Sequence, residues 1–289
     1  MGGWGKKNQG PVLVTGASTG IGRACALLLA RSGHRVFAGV RRETDGHRLQ
    51  ELSGGRIEPV LLDITDSQQI SEARTKVAQD LEIKGGLAGL VNNAGMVVAG
   101  PLEFLPVEEL RKQFEVNVIG HVAVTQAFFP LIRQAGGRIV NIGSTAAFFA
   151  APFLGGYAGS KFAVSAVSDA MRREFGLRGV WVSLVQPGYT ETPVWDKGYD
   201  QAEKLLDALP EEARETYVDA FCAGKAFLDR GRHTAIPPEA VARRVRHALV
   251  SRWPRRQYLV GTDTYVLALA QKFLPAVVAD RLVRRFTSA

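Results

Sequence analysis

The feature that most constrains this chain is an alternation. Through the first 190 residues, short runs rich in β-branched residues are followed by longer segments of helical period. The runs fall at 12–15, 35–40, 57–62, 87–91, 137–142 and 180–185, and helical segments include 21–31, 67–81, 108–132 and 157–175. Most of the runs are continuously apolar rather than alternating. Strands of that kind are covered on both faces, as in a parallel sheet. Strands separated by helices join through right-handed crossovers, so the expected fold class is α/β, a doubly wound parallel sheet. No repeat or low-complexity linker divides the chain. The expectation is one domain over 11–289, preceded by a flexible N-terminus at 1–10. In such sheets ligands bind beyond the carboxyl ends of the strands, which is where chemistry is expected.

Composition narrows the function classes. Apolar residues at 46% and charged residues at 22% fit an ordinary globular protein, and a core of this size needs no disulfide or metal staple. Cys25 and Cys222 are far apart, with no partners at metal-ligand spacing. Neither an oxidising compartment nor a metal is expected. Lys and Arg outnumber Asp and Glu 36 to 28, a formal charge of +8. The excess gathers near the C-terminus, in Arg243-Arg244, Arg255-Arg256 and Arg284-Arg285, without interleaved aromatics, so nucleic acid is not an expected partner. The first ten residues are polar and glycine-rich, unlike a signal peptide. Stretches 116–132 and 139–160 carry no formal charge if His121 is neutral. Asn117, His121, Thr125 and Gln126 in the first, and Asn141, Ser144, Thr145, Pro152 and glycines in the second, argue against membrane spans. The expected location is the cytoplasm.

Directly after the first strand comes Thr15-Gly16-Ala17-Ser18-Thr19-Gly20-Ile21-Gly22. Glycines there let the chain turn sharply and let backbone approach a diphosphate, while the next helix offers its first N–H groups to the anion. Tyr157 and Lys161, four apart, share one helix face. A free phenol has a pKa near ~10, and a neighbouring ammonium pulls it down, making a better proton donor and acceptor.

Together these segments resemble the short-chain dehydrogenase/reductase family, whose glycine loop reads T-G-x-x-x-G-x-G. Asn92-Asn93-Ala94-Gly95 follows the fourth strand, and Tyr157-Ala158-Gly159-Ser160-Lys161 supplies Y-x-x-x-K, with Ser144 thirteen residues earlier. Pro187-Gly188 follows the sixth strand, with Thr192 beyond it. The motifs keep the family's order over roughly 11–192. The resemblance implies a Rossmann-type domain that moves a hydride between a nicotinamide dinucleotide and a carbonyl or alcohol carbon. Tyr157 would exchange the proton, Ser144 would stabilise the substrate oxygen, and Lys161 would lower the tyrosine pKa and hold the nicotinamide ribose. Asn117 either holds a water in a relay to Lys161 or is a satisfied buried amide. Gly16, Ser18, Gly20, Ile21, Gly22, Asn93, Pro187, Gly188 and Thr192 would hold the cofactor. Asp63 either faces the adenine amino group or is a turn carboxylate beside Thr65 and Asp66.

The second strand ends in Arg41-Arg42 with no acid at its tip. An arginine there accommodates the 2′-phosphate of NADP, where an acid would bind the ribose hydroxyls of NAD. Alternatively Arg41 is only a solvated loop cation. Thr19 stands where the family's second, basic NADP marker would be, which keeps NAD open. The expected cofactor is NADP(H) over NAD(H).

Around these positions lie Ala146-Ala147-Phe148-Phe149-Ala150-Ala151-Pro152-Phe153-Leu154, and then Tyr189, Val194 and Trp195. Residues 189–236, with helical patches at 202–209 and 212–228 between Gly198 and Gly231, read as a lid. Phe221 and Phe227 face either the pocket or the lid's own core. No arginine or lysine stands out as a partner for a substrate anion, so the expected substrate is a lipophilic ketone or alcohol. The Thr190-Glu191-Thr192-Pro193-Val194-Trp195 stretch resembles steroid- and retinoid-converting family members. The tail, 262–289, has apolar residues at helical spacing and is expected to pack over the active site or a neighbouring subunit rather than on a membrane surface. A homodimer or homotetramer is expected through 116–132 and 157–175. The rival readings are a non-catalytic dinucleotide sensor and a sugar-nucleotide epimerase or dehydratase.

Overall fold

The computed structural model describes residues 10–81, 85–232 and 235–287, with side chains described except at 227–232 and 282–287. The expected N-terminal flexibility, Phe227 and the Arg284-Arg285 pair therefore lie outside the described side chains. The cofactor half runs β1 (Val12–Val14), α1 (Gly20–Arg31), β2 (Val36–Val40), α2 (Glu43–Leu52), β3 (Ile57–Leu61), α3 (Ser67–Leu81) and β4 (Gly89–Asn92). Then come α4 (Val107–Phe114), a π turn (Glu115–Ile119), α5 (Gly120–Gln134), β5 (Arg138–Ile142), α6 (Gly155–Gly176) and β6 (Trp181–Pro187). The chain ends with α7 (Pro193–Asp207), α8 (Glu211–Arg232), α9 (Pro238–Val250), β7 (Gln257–Val260), α10 (Thr262–Phe273) and α11 (Ala276–Thr287).

The seven strands form one sheet in the order β3-β2-β1-β4-β5-β6-β7, every pair parallel. The order reverses at the β1–β4 junction, where Val12 pairs with both Val36 and Gly89. That reversal opens a crevice at the carboxyl ends of the strands. Successive strand residues point to opposite faces. Val12, Val14, Val36 and Ala38 pack with Cys25 and Leu29 of α1 and Val245 and Leu249 of α9. Leu13, Phe37, Leu90 and Ile139 pack on the other face with Val77, Phe128 and Met171. Both faces are covered, which is why most of the strand sequences are largely apolar.

Three features depart from the sequence expectation. The 108–132 helix is interrupted: the π turn admits an extra residue, so the i→i+4 ladder gives way for one turn around Asn117. α9 and β7 were not anticipated. The arginines of α9 obscure its buried stripe Val241, Ala242, Val245, Ala248 and Leu249, and β7 is a four-residue edge strand. Among the described residues, the helical stretch 107–134, π turn included, is the one long and apolar enough to cross a membrane. Val124, Phe128 and Ile132 bury its inner face in the core, which accounts for that apolarity.

The segment expected to form a lid is two long helices, α7 and α8, rather than short patches. With the segments 97–99 and 153–157 they build a third apolar cluster that contains Val97, Leu154, Tyr157, Tyr199, Leu206 and Phe221. Phe221 therefore belongs to the lid's own core, edge-on to Phe153 at 5.6 Å. In the tail, α10 rests on β7 and the short turn 145–147, and α11 rests on α8. Its other side leaves Tyr265, Val266, Leu269 and Phe273 exposed, so the expected packing covers only one face.

Candidate active site

The crevice at the carboxyl edge is a cleft of about 610 Å³, within the size range of small-molecule and cofactor sites. Its floor begins at the glycine loop. Gly16 adopts φ +61, a left-handed conformation open to glycine. Gly22 is required for a different reason: a Cβ there would collide with the Gly16 carbonyl and the Asn93 side-chain amide. Asn93 Nδ2 donates to the Thr15 and Gly16 carbonyls at 3.0 and 3.1 Å, and Thr15 Oγ1 accepts from the Asn93 and Ala94 N–H groups. Asn93 thus clamps the loop backbone from 78 residues away. Gly16, Ser18, Gly20 and Ile21 line the cleft and Gly22 supports them from behind.

At the far end of β2, Arg41 is exposed and borders the cleft. Its neighbour Arg42 is held by Asp45 at 3.0 Å, whereas Arg41 makes no ion pair among the described residues. Asp63 also borders the cleft. Its Oδ1 accepts from the Thr65 N–H and hydroxyl at 3.0 and 2.7 Å, so the turn role is realised while the carboxylate still faces the crevice.

Under this floor lies a polar network that sequence reasoning missed. Asn92 Nδ2 donates to Thr125 Oγ1 and Asn141 Oδ1, each at 2.9 Å, and Asn141 Nδ2 donates to Ser168 Oγ at 2.9 Å. It ties β4, β5, α5 and α6 together in a fully buried region, where unpaired amides would be costly. The doubled Asn92-Asn93 was the available signal, since an amide at a strand end inside an apolar sheet needs partners.

The proposed catalytic side chains converge. Ser144 caps the turn after β5, its Oγ accepting from Ala146 N at 3.1 Å. It lies beside Tyr157, which stands four residues before Lys161 on α6. Lys161 Nζ donates to the Ile142 carbonyl at 3.1 Å and lies 5.7 Å from the Tyr157 ring centre. All three are buried and line the cleft. Asn117 lies behind them, not in the wall. Its Oδ1 accepts from Met96 N at 2.8 Å and its Nδ2 donates to Met96 O and Ser160 Oγ at 2.9 Å, so the side chain is the satisfied buried amide.

The electrostatics differ from the expectation of an acidified phenol. Burial pushes Tyr157 above its ordinary pKa, and the neighbouring Ser144 offsets this only in part. Burial also pushes Lys161 down to about 8. The ammonium is itself stripped of water, so desolvation dominates both shifts. Nearby, His121 is buried and pushed down to about 4, chiefly by burial and then by the Lys161 charge. Its neutral ring donates Nε2–H to the Ala94 carbonyl at 2.6 Å.

Pro187, Gly188 and Thr192 complete the wall, and the Thr192 methyl group meets the glycine loop at Gly20. Trp195 of α7 stacks on Tyr189 at 5.4 Å and turns its edge to Tyr157 at 5.7 Å. With Met96, Val97 and Val194 it makes the substrate end largely apolar. Lys112 and Lys197, both exposed, also border the cleft. They lie on α4 and α7, which the fold brings to the same cleft.

The cleft fits a nicotinamide dinucleotide: a glycine cradle that side chains would fill, the N-terminus of α1, and a free guanidinium one strand away. Comparison with known proteins agrees. Residues 11–203 match the short chain dehydrogenase family model. The chain is 36% identical to human (Homo sapiens) retinol dehydrogenase 5 over 280 residues, covering 94% of this chain and 87% of that protein. It is 33% identical to the NADPH-dependent 3-dehydrocapnine reductase of Ornithobacterium rhinotracheale, covering 93% and 94%. A short chain dehydrogenase from Burkholderia cenocepacia solved in complex with NADP superposes with a TM-score of 0.72 at 25% identity, over 96% and 99% of the two chains. With the parallel sheet, the glycine cradle and the Ser144–Tyr157–Lys161 grouping already in place, this chain belongs to the short-chain dehydrogenase/reductase family of NAD(P)-dependent oxidoreductases.

Proposed function

We propose that this enzyme interconverts lipophilic ketones and secondary alcohols, prefers NADP(H), and uses Tyr157 as its general acid and base. One observation carries the reading: a buried tyrosine, with Ser144 beside it, lines an apolar-walled cleft whose other end is the glycine cradle. The bound dinucleotide supplies or accepts the hydride. In reduction, the neutral Tyr157 phenol already holds the proton that the carbonyl oxygen needs. Ser144 donates a hydrogen bond to the same oxygen as charge develops. Lys161, pushed down to about 8 by burial, offsets in its charged form the phenolate that proton transfer leaves. Trp195, Val194 and Val97 exclude water and favour an apolar substrate. Retinol dehydrogenase 5 is named for a lipophilic alcohol and the Ornithobacterium rhinotracheale reductase for NADPH, which supports both halves of the reading. Arg41 supports the NADP(H) preference as a cation free to pair with the 2′-phosphate.

The test is a panel of ketones and alcohols followed by nicotinamide absorbance with both cofactors. Steroid or aryl ketones should turn over far better than small sugars; the reverse order rejects the substrate class. Tyr157→Phe should bind reduced cofactor normally and lose about 10³-fold or more in kcat. Activity within about threefold of the parent would remove Tyr157 from its role. The exposed Ile119 and Phe162 support a homodimer or homotetramer, which light scattering checks.

A further inference from the structure

The loop after β6, residues 188–191, runs along the cleft without belonging to the sheet. It neighbours β5, whose end carries Ser144, so it lies at the hydride-transfer end of the site. Its backbone is held by segments that follow the lid. Gly188 N donates to the Val260 carbonyl at 2.8 Å, Ile236 N donates to Tyr189 O at 2.9 Å, and Glu191 N donates to Ile236 O at 3.2 Å. Those three bonds are backbone to backbone and tolerate most side chains. A fourth is not: Tyr189 N donates to Oδ2 of Asp263, at 3.2 Å.

Asp263 sits in the first turn of α10, where a carboxylate is favoured by the helix dipole. Its neighbour Thr264 is fully buried and donates to Val260 O at 2.9 Å, which anchors that turn to β7. The Asp263 carboxylate also occupies the space where a Cβ on Gly188 would lie, and it crowds Gly261 in the same way. Asp263 itself does not line the cleft. Beyond the loop, Tyr189 stacks on Trp195, and Trp195 touches Tyr157.

We propose that Asp263 is a positioning residue for the nicotinamide-end loop, holding it from outside the cleft through the Tyr189 N–H and the side-chain-free flank of Gly188. The proposal rests on the dinucleotide lying in the cleft as described above. The same contact makes Gly188 and Asp263 mutually dependent: the carboxylate fits because position 188 has no side chain. It also links the tail helix α10 to the cofactor without either touching the other.

The test uses the full-length enzyme and direct NADPH titration by fluorescence, alongside steady-state kinetics. Asp263→Ala should raise Kd and KM for NADPH about tenfold and leave kcat at saturating cofactor within about threefold. Asp263→Asn keeps an acceptor oxygen for Tyr189 N–H and should recover most of the loss. Gly188→Ala should bind NADPH poorly, and adding Asp263→Ala should partly restore binding, because the obstruction is gone. Unchanged NADPH affinity in Asp263→Ala overturns the proposal. So does equal damage from Asn and Ala, or a double variant no better than Gly188→Ala. A parent that binds NADPH yet turns over no carbonyl or alcohol sinks only the acid–base reading. A parent that binds neither dinucleotide sinks both.

Discussion

The two halves of the cleft are held by different physics. The glycine-loop half is fixed by directional bonds in a buried setting: Asn93 to the Thr15 and Gly16 carbonyls, and Asn92 to Thr125 and Asn141. The substrate half is held mostly by rings and aliphatic side chains: Trp195 on Tyr189, Phe153 on Phe221 and Tyr217, and Leu206 beside Tyr199. Directional bonds specify one geometry and fail sharply when a partner is lost. Apolar contacts tolerate exchange of shape at similar volume. The contrast teaches where this enzyme can change: the cofactor seat is intolerant of substitution and the lid is open to it.

The largest effect that would break this contrast comes from the buried amides. Asn92→Leu strips Thr125 and Asn141 of a donor and should cost about 2–4 kcal/mol, read as a lower urea midpoint with an unchanged slope. A midpoint equal to the parent's would show that the network is not what holds this half. Next, Arg41→Ala should raise KM for NADPH roughly tenfold, the scale of a charged hydrogen bond, and alter KM for NADH by about twofold or less. Equal changes for both cofactors would return Arg41 to a solvated loop cation. On the lid side, Trp195→Ala should raise KM for bulky lipophilic ketones several-fold, roughly fivefold, while NADPH affinity stays within about twofold. Weakened NADPH binding of the same size would mean that the halves are not separable.

The smallest effect is the pH dependence of cofactor affinity. Lys161 titrates near 8, and an anionic dinucleotide favours its charged form. Binding therefore takes up a proton above that pH, and Kd for NADPH should rise about threefold between roughly pH 7 and pH 9. Lys161→Met should flatten that slope; a slope that persists assigns it to another group.

Much of the cofactor half was readable in advance. Strand positions 12–14 and 36–40 declared themselves by continuous apolarity, because each face of the sheet is covered there. The Tyr157–Lys161 spacing announced a shared helix face, and Gly16 and Gly22 announced a turn with close backbone approach. β7 and α9 escaped notice because a short edge strand and an arginine-rich helix carry weak periodic signals. The π turn escaped because one extra residue per turn leaves no mark in composition.

Local chemistry, then, was legible from the chain alone: which residues turn, which alternate, which lie one helical turn apart. Those properties depend on neighbours within about four positions along the backbone. Partnerships across long separations were decided only by folding. Asp263 reaching Tyr189, Lys112 and Lys197 bordering one cleft, and Asn117 spending its amide on Met96 and Ser160 are of this kind. So are the proton affinities. Tyr157 is raised and Lys161 lowered because segments from elsewhere in the chain exclude water around them, and desolvation is a property of the enclosure rather than of the motif.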